Sequence, residues 1–417
     1  MNFITTMQPV PDHVPAELVR NYPFVLGNIT SGNPYDRMVH DVHRFAPPVF
    51  YAMDAYPGGS PAWVVRRFAD LRAIYADDTH FTVKGFAPFA MMIGESWGNV
   101  PAEADAPLHD QYRALLNPLF TPAALKKLEA KVTSVAEGLV AKFRDEPAID
   151  FRAAFAVPFP VSIVLDLLGL PLERMDEFMA WEHMLLHDLN MEHLQTATRN
   201  VVGLFRDVMK ERRVHPGEDL VSFALNARIG DRHLTDDEVV GFCFNLFIGG
   251  LDTVTTNLCW QFRHLGNDLE LQRTLRANPA LIPDAIQEML RFYSPASTFR
   301  TCIKQIEIGG VTIKPGDKVL MATLLGSNDP EQFDHPEEFR IDRRPTHLAF
   351  GSGIHHCLGH HLARRELTVA MNTILRELPE FRYDSSVEVL TDLGGVIQPR
   401  AVPLLLAAAA GSKGASR

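Results

Sequence analysis

The sequence predicts a mainly α-helical fold with a small β-rich subdomain, and three observations support this prediction. Apolar residues recur at three- and four-residue spacing through most of residues 128–300. Short runs rich in β-branched and aromatic residues lie before this stretch and return after Thr301. One long apolar helix is predicted from Thr235 to about Gly266. Because no repeat or low-complexity linker divides the chain, we expect one domain over residues 1–417, with flexible ends at 1–20 and 411–417.

The composition excludes several classes of protein. Hydrophobic residues make up 46% of the 417 residues and charged residues 22%, the balance of a soluble globular chain. The 40 Lys and Arg against 51 Asp and Glu give a net charge of −11, which argues against binding to nucleic acid or to an anionic membrane. The four separated cysteines form neither a disulfide framework nor a Cys-x-x-Cys zinc motif. No secretory signal and no uninterrupted membrane-spanning run is visible, so we expect a cytoplasmic protein.

The predicted elements follow the chain in order. Two strands come first, at 48–51 and 62–65, on either side of a turn at 56–59 that contains Pro and Gly. Helical periodicity then predicts helices at 128–144, 157–170, 173–189, 196–213, 285–292 and 360–376. The later strand-like runs lie at 305–312, 318–322 and 401–406.

The long apolar helix has an unusual centre. Thr235 and Glu238 have the spacing of a capping box, which predicts the first turn. About thirty residues at ~1.5 Å each would span ~45 Å, so the helix should run through the middle of the protein. Its middle, residues 248–253, reads IGGLDT, where each glycine costs about 1 kcal/mol against alanine and a buried Asp needs a partner. We interpret this segment as functional, the alternative being a kink or a close helix crossing.

A glycine-rich loop carries the most specific chemistry. Residues 350–359 read FGSGIHHCLG and precede the last predicted helix. Cys357 therefore lies just before a helix N-terminus, where free N–H groups and the helix dipole favour a thiolate. Glycines let the loop approach a flat, bulky group, and a thiolate held in this way can ligate haem iron. A lone cysteine is more often an inert buried thiol, but the glycines and Phe350 favour a ligand.

This loop resembles the haem-ligand loop of the cytochrome P-450 monooxygenases. Three further segments match family motifs in the right order: Gly249 to Thr253 the oxygen-activating helix, Glu288 to Arg291 the Glu-x-x-Arg helix, and Pro336 to Arg343 the meander. The resemblance covers about residues 25–408 and is closest to the bacterial soluble class, in the camphor-hydroxylase branch. It implies the cytochrome P-450 fold, a triangular-prism helical domain with haem between the long central helix and the Cys-loop helix.

The resemblance also implies a cofactor and a catalytic pair. The cofactor is haem b with iron ligated by Cys357, and O2 is the co-substrate. Asp252 and Thr253 match the family's acid–alcohol pair, which delivers protons during oxygen activation. Glu288 and Arg291 match a structural ion pair. The residues that match cofactor-binding positions, including the propionate partners, are Cys357, His109, Arg113, Arg300, His355, Phe350 and Gly351.

The implied reaction inserts one oxygen atom from O2 into a small molecule, with two electrons from NAD(P)H. No Gly-x-Gly-x-x-Gly fingerprint appears, and the cysteines are too far apart for an iron–sulfur cluster. A separate 2Fe–2S ferredoxin and its NAD(P)H-dependent reductase are therefore implied. We expect the ferredoxin to dock on a basic patch. The proposed patch consists of Arg113, Arg344, Arg364 and Arg365.

The predicted pocket differs from the camphor-hydroxylase branch. Trp97 aligns where that branch has a Tyr that donates to the substrate ketone, and Asn245 falls where the branch has an apolar residue. We expect a mainly apolar substrate of terpenoid or norisoprenoid size, with room for one carbonyl, and weak camphor binding. For Trp97 the alternative is core packing outside the pocket. The other expected wall positions are Phe89, Ile248, Ala296 and Val396.

Three other functions each agree with part of the sequence. A non-catalytic haem-thiolate gas sensor would need Cys357 but no proton-delivering pair. A hydrogen-peroxide-driven peroxygenase would usually lack that pair. A zinc hydrolase could use His183 and His187, or the histidines at 355, 356, 360 and 361, but neither set forms a His-Glu-x-x-His motif. We therefore interpret these histidines as helix-surface or loop residues.

Overall fold

A computed structural model describes residues 9–56, 59–87 and 89–407 of the chain. The α-helices are α1 (Met38–Phe45), α2 (Phe68–Tyr75), α3 (Phe89–Met92), α4 (Leu108–Leu116), α5 (Pro122–Leu125), α6 (Glu129–Phe143), α7 (Pro158–Leu167), α8 (Met175–Leu186), α9 (Met191–Val214), α10 (Leu220–Asn226), α11 (Asp236–Leu251), α12 (Thr253–Asn267), α13 (Leu269–Ala277), α14 (Ile282–Phe292), α15 (Thr323–Gly326) and α16 (His360–Glu377). A π-helical turn, Arg152–Ala156, precedes α7.

The strands are short and lie mainly at the two ends of the chain. They are β1 (Ile29–Ser31), β2 (Val49–Tyr56), β3 (Ser60–Val65), β4 (Phe81–Thr82), β5 (Ala148–Asp150), β6 (Arg228–Ile229), β7 (Arg232–His233), β8 (Thr298–Cys302), β9 (Ile306–Ile308), β10 (Val311–Ile313), β11 (Lys318–Met321), β12 (Phe381–Tyr383), β13 (Leu390–Asp392), β14 (Gln398–Pro399) and β15 (Pro403–Leu406). The prediction of a mainly helical chain with a small β-rich part is confirmed.

The predicted elements all appear, with differences at their ends. The helices expected from periodicity correspond to α6, α7, α8, α9, α14 and α16. The run at 305–312 is two strands, β9 and β10, paired as an antiparallel hairpin. The expected arm at 1–20 is held in part, since Val14 is buried and His13 hydrogen-bonds to Asp317 at 2.8 Å. Residues 1–8, the tail at 411–417 and two residues of the turn at 56–59 lie outside the described residues.

The largest sheet has five strands in the order β2-β3-β11-β8-β4. β3 and β11 are parallel, whereas the other pairs are antiparallel. Its register places Arg300 on β8 opposite Val319 on β11. Just before β8, Ala296 forms an isolated bridge with Val396. The β-rich part therefore brings the residues around 296–300 beside the C-terminal segment near 396.

The long central helix forms as predicted, with one interruption. The capping box of Thr235 and Glu238 is present in both directions. α11 and α12 are separated by Asp252, where the hydroxyls of Thr253 and Thr255 bond to the carbonyls four residues earlier. The span Asp236–Asn267 is long and apolar enough to cross a membrane, but 67% of its most apolar window is buried inside the protein. We therefore interpret it as a core helix of the protein.

The two halves of this helix belong to different apolar clusters. Buried side chains of α11 pack with those of α7 and α9, whereas buried side chains of α12 pack with those of α6, α14 and α16. A Cβ at Gly250 would lie 2.8 Å from Val164 Cγ1, so this glycine permits the crossing of α11 and α7. Nothing lies within 4 Å of a Cβ at Gly249. The close helix crossing that the sequence offers as an alternative is therefore present at Gly250, whereas Gly249 faces open space.

Candidate active site

The loop before α16 is held tightly around Cys357. The Cys357 N–H donates to the Phe350 carbonyl at 2.9 Å. Gly353 has φ +68° and packs where any Cβ would meet the Tyr75 carbonyl, so only glycine fits there. The backbone N–H groups of Gly359 and His360 lie close enough to the Cys357 sulfur to lower the pKa of its thiol. The geometry agrees with the predicted thiol at a helix N-terminus.

Opposing effects act on the thiol. Burial raises the pKa of Cys357, while the two N–H groups and the positive charges of Arg113 and Arg364 lower it. Arg113 Nη1 donates to the His356 carbonyl at 2.8 Å, which ties α4 to the loop. The Arg364 guanidinium lies over the Phe350 ring at 4.5 Å from its centroid. The cations nearest Cys357 thus also hold the loop in place.

Two predicted propionate partners are buried and keep hydrogen-bonding capacity: His109 Nδ1 contacts the Asp110 carboxylate at 3.2 Å, whereas His109 Nε2 and the Arg300 guanidinium contact no carboxylate among the described residues. His109 is 2% exposed, and its Nε2 atom has no hydrogen-bond partner among the described residues. Its ring lies 4.2 Å from that of His355. Arg300 is 7% exposed and donates to the Phe299 carbonyl, with no carboxylate at ion-pair distance in the described part of the chain. Buried polar groups are normally paired, so the carboxylates of a haem would complete this set, and the residues present fit that cofactor.

One face of α11 and the start of α12 is not covered by neighbouring residues. Asn245, Ile248, Gly249 and Thr253 recur at helical spacing and are not buried, although most of the helix is. The Thr253 hydroxyl donates to the Gly249 carbonyl at 3.1 Å. These four residues therefore share the side of the helix on which the sequence predicts oxygen and substrate.

Asp252 has different surroundings from Thr253. It is completely buried, and its Oδ2 atom lies 3.0 Å from Nε2 of His187. Its Oδ1 atom accepts from the Gln398 amide and, at 3.4 Å, from the Thr256 hydroxyl. The acid is therefore anchored to the end of α8 and to β14. The neighbouring alcohol bonds within its own helix.

Sequence reasoning missed the partners of Asp252. His187 lies in the turn after α8, as a loop residue, but the interpretation as a surface residue is wrong because its side chain is 2% exposed and bonds to Asp252. The available signal was its spacing from His183, whose ring stacks on it at 5.4 Å. Glu182, also on α8, is 2% exposed, and burial followed by the charge of Asp252 raises its pKa well above the ordinary value. Nothing in the sequence indicates Gln398.

The predicted pocket residues fall into three groups. Phe89 and Trp97 both contact Phe244, with ring centroids 5.1 and 4.8 Å apart. Trp97 is 5% exposed, and its Nε1 donor makes no well-formed hydrogen bond among the described residues, although it lies near enough to the Glu95 carboxylate to contribute to lowering the pKa of that group. Ala296 and Val396 form the second group through their β-bridge, and the α11 positions form the third. Phe244 was not predicted, because an aromatic residue on a buried helix carries no distinguishing signal.

The Glu288–Arg291 pair is buried completely. Arg291 Nη2 lies 2.8 Å from Glu288 Oε1, and both side chains are 0% exposed. Arg291 also donates to the Pro336 carbonyl, while Glu288 accepts from Arg343 Nε at 2.9 Å. The pair therefore fastens α14 to the segment at 336–343.

The predicted basic patch is partly neutralised. Arg365 pairs with Glu129 at 2.8 Å, and Arg344 pairs with Asp284 at 3.2 Å. Arg113 and Arg364 are half-buried and serve the Cys loop. Arg344, with a side chain that is 77% exposed, is the most accessible of the four.

Comparison with known proteins places this site in context. A family model described as cytochrome P-450 matches residues 151–399. A probable cytochrome P-450 127A1 from Sinorhizobium fredii (strain NBRC 101917 / NGR234) is 34% identical, over 93% of this chain and 94% of its own. Crystal structures of CYP101J2 and of cytochrome P-450 CYP101C1 superpose with TM-scores of 0.84 and 0.83, at 29% and 28% identity, each covering 96% of this chain and 100% of the other.

Proposed function

Because the chain belongs to the cytochrome P-450 family and is a haem-thiolate monooxygenase that uses O2, we propose that it oxidises a mainly apolar molecule of terpenoid or norisoprenoid size. We assign Cys357 as the ligand of the haem b iron. His109, Arg300 and His355 hold the propionates, and Arg113 supports the loop. The observation that carries this assignment is the Cys357 loop, in which position 353 accepts only glycine, together with the buried Arg300, which has no carboxylate at ion-pair distance among the described residues.

Haem b bound through a cysteine thiolate supplies the oxygen activation, and one oxygen atom leaves as water. The reaction therefore consumes two protons and two electrons for each oxygen atom inserted. In an apolar space only placed polar groups can bring those protons. Thr253, on the open face of the helix, holds the last proton donor, and Asp252 supplies protons from the buried side. Gly249 leaves room beside Thr253.

The pocket supports one hydrogen bond to substrate. The unpaired Nε1 donor of Trp97 can bind a single carbonyl, while Phe89, Phe244 and Ile248 supply apolar contact. Since the Trp97 donor differs in reach from the Tyr of the camphor-hydroxylase branch, camphor should bind weakly. A spectral titration tests this: a low-spin to high-spin shift with camphor at micromolar affinity would contradict the proposed pocket.

We assign the electron supply to a 2Fe–2S ferredoxin and its NAD(P)H-dependent reductase, in the cytoplasm. Docking is best tested at Arg344 rather than Arg364, because reversing the half-buried Arg364 would also disturb Phe350 and the Cys loop. Arg344 pairs with Asp284 on α14, one turn from Gln287, which contacts Arg364. Arg344→Glu should slow reduction of the haem by ferredoxin, and unchanged kinetics with haem retained would refute this docking site.

Two measurements test the function as a whole. The reduced, CO-bound protein should show the strongly red-shifted Soret band of a haem thiolate, and Cys357→Ser should lose it while Cys302→Ser keeps it. NADH-dependent product formation with ferredoxin and reductase should follow for a terpenoid identified by a spectral screen. Turnover with hydrogen peroxide alone would instead indicate a peroxygenase, and a red-shifted band without any turnover would indicate a gas sensor.

A further inference from the structure

A buried cluster of titratable side chains surrounds the Asp252 carboxylate. Glu182, His187 and Asp252 each offer a polar atom within 4.8 Å of the other two. The side chains of His187 and Asp252 are 2% and 1% exposed, and Glu182 is 2% exposed. Glu182 Oε1 and His187 Nδ1 have no hydrogen-bond partner among the described residues. Two polar atoms of the cluster therefore lack a hydrogen bond among the described residues, and the charges of its three side chains depend on one another.

The charge of His187 is set by groups from several elements. Burial would lower its pKa, but the charge and hydrogen bond of Asp252 together raise the pKa above its ordinary value. Burial and then the nearby Asp252 raise the pKa of Glu182 well above its ordinary value. The charged and titratable groups that face His187 are Asp252, Glu182, His183, Asp392 and Arg152.

Protonation of His187 changes how firmly Asp252 is held. When the imidazole is charged, the 3.0 Å contact is a buried ion pair and a charge-assisted hydrogen bond. When the imidazole is neutral, the ion-pair attraction is lost, and Nε2 donates to the carboxylate only in the tautomer that carries its proton on that atom. Gln398 and Thr256 hold only the other oxygen of the carboxylate. Of the two carboxylate oxygens, only Oδ2 is therefore held by His187.

We propose that His187 is the positioning residue of Asp252: as a cation it holds the acid against α8, and as a neutral ring it releases the acid to serve Thr253. This inference rests on the proposed function, because it assumes that Asp252 and Thr253 deliver the protons of the oxygenase reaction. Water supplies both protons of each cycle. His187 ends each cycle in the protonation state in which it began.

The first test measures the pair directly in the ferrous, CO-bound holoenzyme, which is diamagnetic. NMR titration of labelled histidines, with His187 assigned through His187→Gln, should give His187 a pKa above the ordinary value of about 6.5. Asp252→Asn should bring that pKa below 6.5, because burial then acts without its counter-charge. His183→Gln, a matched change one turn away, should leave the pKa raised. An unshifted His187 in the wild type would overturn the inference.

The second test measures product formed per NADH consumed as a function of pH. The wild type and His183→Gln should show a rise in coupled turnover at the pH where His187 titrates. His187→Gln should lack this inflection, and His187→Arg, a permanent cation, should stay several-fold slower on the alkaline side. A wild-type inflection retained in His187→Gln would refute this inference alone. Loss of the red-shifted CO band and of turnover in the wild type itself would refute the proposed function.

Discussion

Glu288 and Arg291 form an ion pair that is entirely excluded from solvent, with Arg291 Nη2 2.8 Å from Glu288 Oε1. Breaking a buried pair costs about 3–5 kcal/mol, and removal of Arg291 would leave the buried Glu288 with Arg343 alone as its counter-charge. We therefore expect Arg291→Met to lower the free energy of unfolding by that amount in urea denaturation. Arg344→Gln, which breaks the exposed pair with Asp284, should cost less than about 1 kcal/mol. Equal losses in the two variants would contradict the structural role of the buried pair.

Thr253→Ala tests proton delivery on the open side of the helix. The variant should keep its haem spectrum and still consume NADH, but it should form much less product per NADH, since the proton donor is no longer held. Thr255→Ala provides the matched control, because its hydroxyl is buried and bonds to the Leu251 carbonyl. Comparable uncoupling in both variants would mean that Thr253 acts only through the helix.

Trp97→Phe removes the unpaired Nε1 donor and keeps most of the ring. A carbonyl-bearing terpenoid ligand should bind about tenfold more weakly to the variant, the loss of one hydrogen bond of about 1.4 kcal/mol. The matching hydrocarbon without the carbonyl should bind wild type and variant equally. Both affinities follow from spectral titration, and equal losses for the two ligands would place Trp97 in the core packing instead.

Gly353→Ala should damage the Cys loop. Its φ of +68° is strained for any side chain, and an added Cβ would meet the Tyr75 carbonyl. We expect lower haem content, measured by the pyridine haemochrome assay, and a weaker red-shifted CO band. Gly359→Ala is the control, because φ there is −82° and nothing lies within 4 Å of a Cβ. A normal haem content in Gly353→Ala would show that the loop can move away from α2.

Glu366 makes stability depend on pH. Burial raises the pKa of this completely buried carboxyl on α16 to about 8. Because the folded pKa lies above the unfolded one, the stabilising proton is fully effective below about pH 4.5 and is lost as pH rises toward 8. At pH 7 the free energy of unfolding should therefore be lower by about 3 kcal/mol than it is at low pH. In urea denaturation, the free energy of unfolding of Glu366→Gln should rise relative to that of the wild type across this pH range. The exposed Glu137→Gln should show no such trend.

Features built from neighbouring residues could be predicted from the sequence. The capping box, the Glu288–Arg291 spacing and the glycine-rich Cys loop are each contained within a few residues, so local geometry fixes what they form. The bounds of α6 and α16 agree with the predicted helices for the same reason: a single amphipathic face determines them.

Contacts between distant segments could not be predicted in this way. Asp252 meets His187 from 65 residues away and Gln398 from 146 residues away, and no spacing rule links them. Counting charges also overstates how available Arg364 is for docking, because a sequence does not show that its guanidinium lies over the Phe350 ring. The pairing of Gly250 with Val164 likewise depends on how α11 crosses α7.

The crossing of α11 and α7 determines which substitutions on the central helix can change the shape of the pocket. Adjacent positions on the central helix offer unequal freedom: a methyl group at Gly249 would project into open space and trim the volume available to a substrate. The same group at Gly250 would push against Val164 and separate two helices. Library design should therefore vary position 249 alone, and should vary position 250 only together with a smaller residue at 164.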